Sequence, residues 1–239
     1  MRQLCKLAAA SLVAMTLAVS TAQAEEESTI AFGGQLYDNW MELTAGSVPT
    51  GTHPAYPASA SKKGKSTWRC KECHGWDYLG KDGGYGPESK GYTGIKGIRA
   101  MDGADPAVAL AVLNDATHAL PPDTLTDSER AALVLFLTKG QFDMNRAFDL
   151  KTGKATGDPA KGAGYFNTVC AKCHGLKGDG PSNMDETLGS LANRVPAEVV
   201  HKIRNGDLEP EMPALRAFPE QITIDILAYT QTLPTTKGR

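Results

Sequence analysis

Apolar and polar positions along the chain mark out short helices separated by Gly- and Pro-rich loops. The first apolar run, Leu7 to Val19, follows basic Arg2 and Lys6 and ends at Ala22-Gln23-Ala24, just before acidic Glu25-Glu26-Glu27. That order reads as a removable export leader over residues 1–24. The run is short for a spanning helix, which needs about 20 residues; an uncleaved N-terminal anchor is the rival reading. A helix-like segment, Gly33 to Leu43, comes next, followed by a long stretch, 44–69, rich in Gly, Pro, Ser and Lys. Such an insertion is either a functional loop that wraps a site edge or docks a partner, or a solvated segment without a role.

Asp105-Pro106 supplies an N-cap and a first-turn proline for a helix that reaches Leu113 and stops near Asn114-Asp115. Thr126 to Lys139 forms an amphipathic helix. Thr126 and Glu129 give it a capping box, and Ala132, Leu133, Phe136 and Leu137 mark its apolar face. A short polar linker, Thr152 to Gly157, leads into a second series. There Asp158-Pro159 opens a helix running through Lys161, Tyr165 and Phe166 into Cys170. A Gly/Asp/Pro loop (Gly175 to Pro181) follows, then a helix from Pro196 to Arg204 ended by Asn205-Gly206, and a closing helix from Pro219 to Leu233.

Composition adds bounds rather than a function. The 239 residues are 41% hydrophobic and 22% charged, enough for one sizeable core or two small ones and unlike a disordered chain. The formal charge is −2; without the leader, 23 basic residues stand against 27 acids, giving −4. A nucleic-acid binder held by a global positive field is therefore not expected.

The cysteines carry the chemistry. Cys5 falls in the leader, leaving Cys70, Cys73, Cys170 and Cys173. They form Cys70-Lys71-Glu72-Cys73-His74 and Cys170-Ala171-Lys172-Cys173-His174, two Cys-x-x-Cys-His motifs that read as attachment sites for haem c. The spacing has a chemical reason. Two thiols that add across the two vinyl groups of one porphyrin must lie about one helical turn apart, and the next residue then offers its imidazole to the iron. Disulfide loops or a four-thiolate zinc site would leave both histidines unexplained. Two covalently attached haem c groups are expected, in an exported protein, with His74 and His174 as iron ligands.

The motifs lie 100 residues apart, and comparable elements follow each in the same order. This pattern resembles the class I cytochrome c family, in particular its periplasmic dihaem members, and is clearest from Cys170 through Met212-Pro213 to the closing helix. The resemblance implies an all-α fold of two tandem cytochrome c-like domains, 25–150 and 158–239, each wrapped around its haem. It also implies crossing terminal helices, with Gly162 and Phe166 against Tyr229. The opening Gly33 to Trp40 has no counterpart in a standard member.

Met212, 38 residues after His174 and flanked by Pro210 and Pro213, is the expected distal ligand of the second haem; Met184 lies too near the proximal side. The first copy has no Met-Pro. Aligning the closing helices sets Ala119 opposite Met212, which makes His118 the preferred distal ligand there, with Met101, His53 and an open iron as alternatives. His201 reads as a surface residue or a partner for a propionate. Thioether ligation raises a haem potential and a second imidazole lowers it, so electrons would run from the first haem to the second.

Nine basic residues between Lys62 and Arg99 face four acids, Glu72, Asp77, Asp82 and Glu88, whereas Asp207, Glu209 and Glu211 precede Met212. Opposite charge at the two haem edges would suit different redox protein partners; a solvated lysine-rich loop is the plain alternative. The expected function is a periplasmic electron carrier, or the electron-transfer subunit of an oxidoreductase. The alternative is a redox enzyme acting on a small inorganic substrate at the first haem. A gas sensor is less favoured, because no signalling domain accompanies the motifs.

Overall fold

The computed structural model describes residues 2–118, 120–121, 123–181, 184–207 and 212–237, with side chains from residue 23 onward. Ala119, Glu209, Pro210 and Glu211, which entered the sequence reading, lie outside the described residues. The described residues form helices and loops with isolated β-bridges in place of strands. Among them, no helix is long and apolar enough to cross a membrane.

The first half begins with α1 (Arg2–Leu43), which contains the expected cleavage point and is broken at Asn39 (φ −155°, ψ 76°). A 3-10 turn, Gly64–Trp68, leads into the single-turn α2 (Cys70–His74). Helix α3 (Pro106–Leu113) starts where Asp105 accepts a hydrogen bond from the Ala107 amide, and Asn114 caps its end. In α4 (Asp127–Leu135), the hydroxyl of Thr126 and the carboxylate of Glu129 complete both arms of the capping box. A π-helical turn, Phe136–Gly140, continues α4.

The second half opens on another capped helix. Asp158 caps α5 (Pro159–Tyr165), and a π-helical turn, Phe166–Cys170, carries it into α6 (Ala171–His174). Two further helices, α7 (Leu188–Arg194) and α8 (Pro196–Asn205), precede the closing α9 (Glu220–Thr230). Helix α7 went unforeseen in the sequence.

Each half is held by one tight helix crossing. A methyl group on Gly162 of α5 would collide with the Asp225 carbonyl oxygen of α9 and lie 2.9 Å from Cβ of Tyr229. Only hydrogen fits there, so the backbones touch, and Phe166 meets Tyr229 with ring centroids 5.4 Å apart. In the first half a methyl on Gly33 of α1 would collide with the Ala132 carbonyl oxygen of α4 and lie 2.8 Å from Cβ of Phe136. Tyr37, one turn after Gly33, meets Phe136 at 5.3 Å. The segment without an assigned counterpart is thus the first half's version of the Gly162–Phe166 helix. Stretch 44–69 separates it from its cysteines.

The halves are fastened to one another. Gln231, which caps the end of α9, accepts from the Ala155 amide at 2.9 Å and donates to the Gly153 carbonyl at 2.7 Å, pinning the linker. Gln35 of α1 donates to the Asn205 carbonyl at the end of α8. His201, read from the sequence as a surface residue or a partner for a propionate, is 1% exposed and sits among Tyr37, Trp76, Tyr78 and Phe136 of the first half. Its Nε2 lies 3.0 Å from the Gly34 carbonyl, which only accepts, so Nε2 carries the proton. Its Nδ1 then accepts from the Tyr78 hydroxyl at 2.8 Å. The helix it sits on packs its apolar face against α1, a long-range contact that local sequence does not signal.

Candidate functional site

Each Cys-x-x-Cys-His motif lines a cavity of its own among the described residues. The first-half cavity, about 350 Å³, is lined by Cys70, Cys73, His74 and His118, with Met101 and His53 also on its wall. The second-half cavity, about 380 Å³, is lined by Cys170, Cys173, His174 and Met212, with Met184 and Phe166 on its wall. The two thiol pairs therefore do not converge on a single metal. Both volumes fall in the range of roughly 300–1,000 Å³ typical of small-molecule and cofactor sites.

Local structure explains the placement. In α2 the two cysteines are three residues apart on one helical face, and His74 ends the turn. Its Nδ1 donates to the Lys96 carbonyl at 2.8 Å, within a loop fastened by the Gly80–Lys96 bridge. In the second half, Nδ1 of His174 donates to the Gly180 carbonyl at 3.1 Å. Each ring keeps Nε2 as its lone-pair nitrogen, the arrangement that orients a metal-binding imidazole. Met212 is set by its own backbone: its carbonyl accepts from the Asp207 amide at 3.3 Å, next to Gly206 (φ +79°) at the end of α8.

His118 lies just beyond α3 and faces His74, with ring centroids 6.1 Å apart and planes 24° apart. Oδ1 of Asp115 lies 3.0 Å from Nδ1 of His118 and accepts from its amide at 2.9 Å. Those hydrogen bonds, led by the one from the His118 amide, hold the Asp115 carboxyl below its usual range. Asp115 entered the sequence reading only as part of a helix end; an Asp three residues before a His was the available signal for its second role.

Stretch 44–69 is part of the first-half site. His53 stacks edge-on against Trp68 at 4.3 Å, and its amide donates to Oγ1 of Thr67. Trp40 and Trp68 donate their indole N–H groups to the Trp68 and Gly51 carbonyls, closing the loop onto α1. The basic character of the adjoining segment is uneven at the surface, because Lys71, Glu72 and Asp77 are buried. Glu72 pairs with Lys62 and Lys71, both at 2.7 Å, and Asp77 accepts from the Gly84 amide at 2.6 Å.

Burial sets the protonation of these groups. It pushes the Cys70 thiol up to about 12 and those of Cys73 and Cys170 to about 11, and it takes His74 down to about 4. At neutral pH these are protonated thiols beside an uncharged imidazole, in an apolar cleft. Such a donor set suits a flat, largely apolar macrocycle bound through two sulfurs and one nitrogen. It does not suit a thiolate-ligated ion or an activated nucleophile.

Helices folded around an apolar cleft that presents a Cys-x-x-Cys turn and an oriented imidazole define the class of c-type haem proteins. Residues 157–229 match the family described as cytochrome c oxidase, cbb3-type, subunit III. A cytochrome c-553-like protein of Synechocystis sp. is 32% identical over 80 residues, covering 32% of this chain and 70% of that protein. The chain belongs to the cytochrome c family, whose members bind haem c covalently and transfer electrons.

Proposed function

We propose that the chain is an exported dihaem cytochrome c that carries electrons between redox protein partners, alone or as the electron-transfer subunit of an oxidoreductase. Residues 1–24 act as the leader, and 25–150 and 158–239 are two tandem cytochrome c domains. Cys70 and Cys73 hold one haem c with His74 as proximal ligand; Cys170 and Cys173 hold the other with His174. His118 and Met212 are the distal ligands. The bound group supplies a one-electron iron couple at each site. The protein's own residues orient the ligands, keep water away and set the two potentials apart.

The observation that carries this reading is the facing pair His74 and His118. An ion bound about 2 Å from each Nε2 sets two imidazole centroids roughly 6 Å apart, as these are. With both irons six-coordinate, the chemistry left is electron transfer. The two halves then differ in kind, paired imidazoles in one and imidazole with thioether in the other, which makes the first the lower-potential site.

The test is the mass of the purified, haem-loaded protein together with carbon monoxide binding to its reduced form. Two covalent haems per chain and no spectral change with carbon monoxide are expected. One haem would overturn the dihaem reading. Carbon monoxide binding would open an iron and favour catalysis on a small inorganic substrate at the first haem.

A further inference from the structure

Asp38 of α1 lies between the two cavities, in the contact of α1 with α8. Its side chain is 4% exposed, and its two carboxylate oxygens are taken by different cations. Oδ1 binds the Arg69 guanidinium, whose Nε also donates to the Asp38 carbonyl at 2.8 Å. Oδ2 binds the Lys202 ammonium at 2.6 Å. Arg69 lines the first-half cavity, beside Cys70, and Lys202 lines the second-half cavity. Lys202 also holds Asp207 at 2.6 Å and lies 5.8 Å from the ring centroid of Trp76, which Lys71 covers from 4.5 Å.

The carboxylate is charged. Burial alone would raise its pKa, but Lys202 and Arg69 outweigh that and hold it below the ordinary range. Burial works against the Lys202 ammonium, but Asp38 and Asp207 outweigh it and raise its pKa. A fixed charge in such a place is poorly screened by water and salt, so it acts on both cavities over distances at which a surface charge would not.

We infer that Asp38 couples the two cofactor sites, one buried carboxylate that through Arg69 and Lys202 sets both iron potentials together. This rests on the dihaem reading above. An arriving electron adds negative charge to a site. Asp38 opposes that at both irons, Arg69 favours it chiefly at the first, and Lys202 favours it chiefly at the second. The pair of potentials is thereby tied to one residue, and neither site is tuned independently of the other.

The experiment is a spectroelectrochemical titration of the full-length, haem-loaded protein, with the two haems resolved by their absorption bands. Asp38→Asn is expected to raise both midpoint potentials, and Asp38→Glu to bring them back toward the parent. Arg69→Gln should lower the first-half potential more than the second, and Lys202→Gln the reverse. Glu220→Gln, at a surface pair with Arg146, should move neither. A shift of one potential only in Asp38→Asn would overturn the coupling. So would a fall in both, the direction expected when water enters a loosened interface. If Asp38→Asn does not accumulate, a shift confined to the first site in Arg69→Gln and to the second in Lys202→Gln would overturn it instead. A chain carrying one haem by mass marks failure of the dihaem reading itself, before any titration.

Discussion

His118 and His74 meet across the first-half cavity with their ring planes 24° apart, each held at Nδ1 by an oxygen of a wall residue, Lys96 for His74 and Asp115 for His118. Neither ring is free to pick its tautomer, so both present the same nitrogen inward. If these nitrogens share one iron, removing the ring farther from the cysteines should open that iron. His118→Ala is expected to bind carbon monoxide at one haem in the reduced state, seen as a shift of about half the haem absorbance, while the parent binds none. His118→Met should stay closed and raise the potential of that haem. An unchanged spectrum in His118→Ala would return the distal position to Met101 or His53.

Covalent loading should divide between the motifs. The double replacement Cys170→Ser with Cys173→Ser is expected to leave one covalent haem on Cys70 and Cys73, read as the loss of one haem mass per chain. Retention of both haems would show that the second cavity holds its group without these sulfurs.

The two helix crossings predict a stability effect. Gly33→Ala and Gly162→Ala each drive a methyl into a carbonyl oxygen of the facing helix. Overpacking of this kind costs about 1–3 kcal/mol or more. Each variant should melt several degrees below the parent by circular dichroism, whereas Gly164→Ala, at an open position on the same helix, should not.

His201 predicts a pH dependence. Burial takes its pKa down to about 3, so the folded chain keeps it neutral while the unfolded chain protonates it near 6.5. Between those values the unfolded state binds the extra proton, so stability falls as pH drops from about 6.5 toward 3. The full loss from this one group is on the order of 5 kcal/mol. Chemical denaturation at a series of pH values should show that decline, and His201→Gln should flatten it while lowering stability at neutral pH. An unchanged slope in the variant would assign the acid sensitivity elsewhere.

Local chemistry was readable from the chain, and long-range placement was not. Asp105, Asp158 and the Thr126/Glu129 pair announce helix starts because each acts on amides two or three residues away. The facing of Phe166 and Tyr229 followed from the family resemblance. Gly33 and Tyr37 were missed because stretch 44–69 moves them away from Cys70, although the Gly-x-x-x-aromatic spacing matches Gly162 and Phe166. His201 was misplaced because its partners, Gly34 and Tyr78, belong to the other half of the chain. The basic run from Lys62 to Arg99 suggested a docking face or a solvated loop from composition alone; which of its charges are internal, Lys71, Glu72 and Asp77, and that Arg69 is bound to Asp38, depend on the fold.

Gln231 holds the linker and Gln35 holds the end of α8, so the halves are spliced at both ends of their contact. The two halves are therefore not interchangeable: the second half on its own would carry His201 and Lys202 with nothing to receive them. A substitution on one side of this seam calls for a matching one on the other.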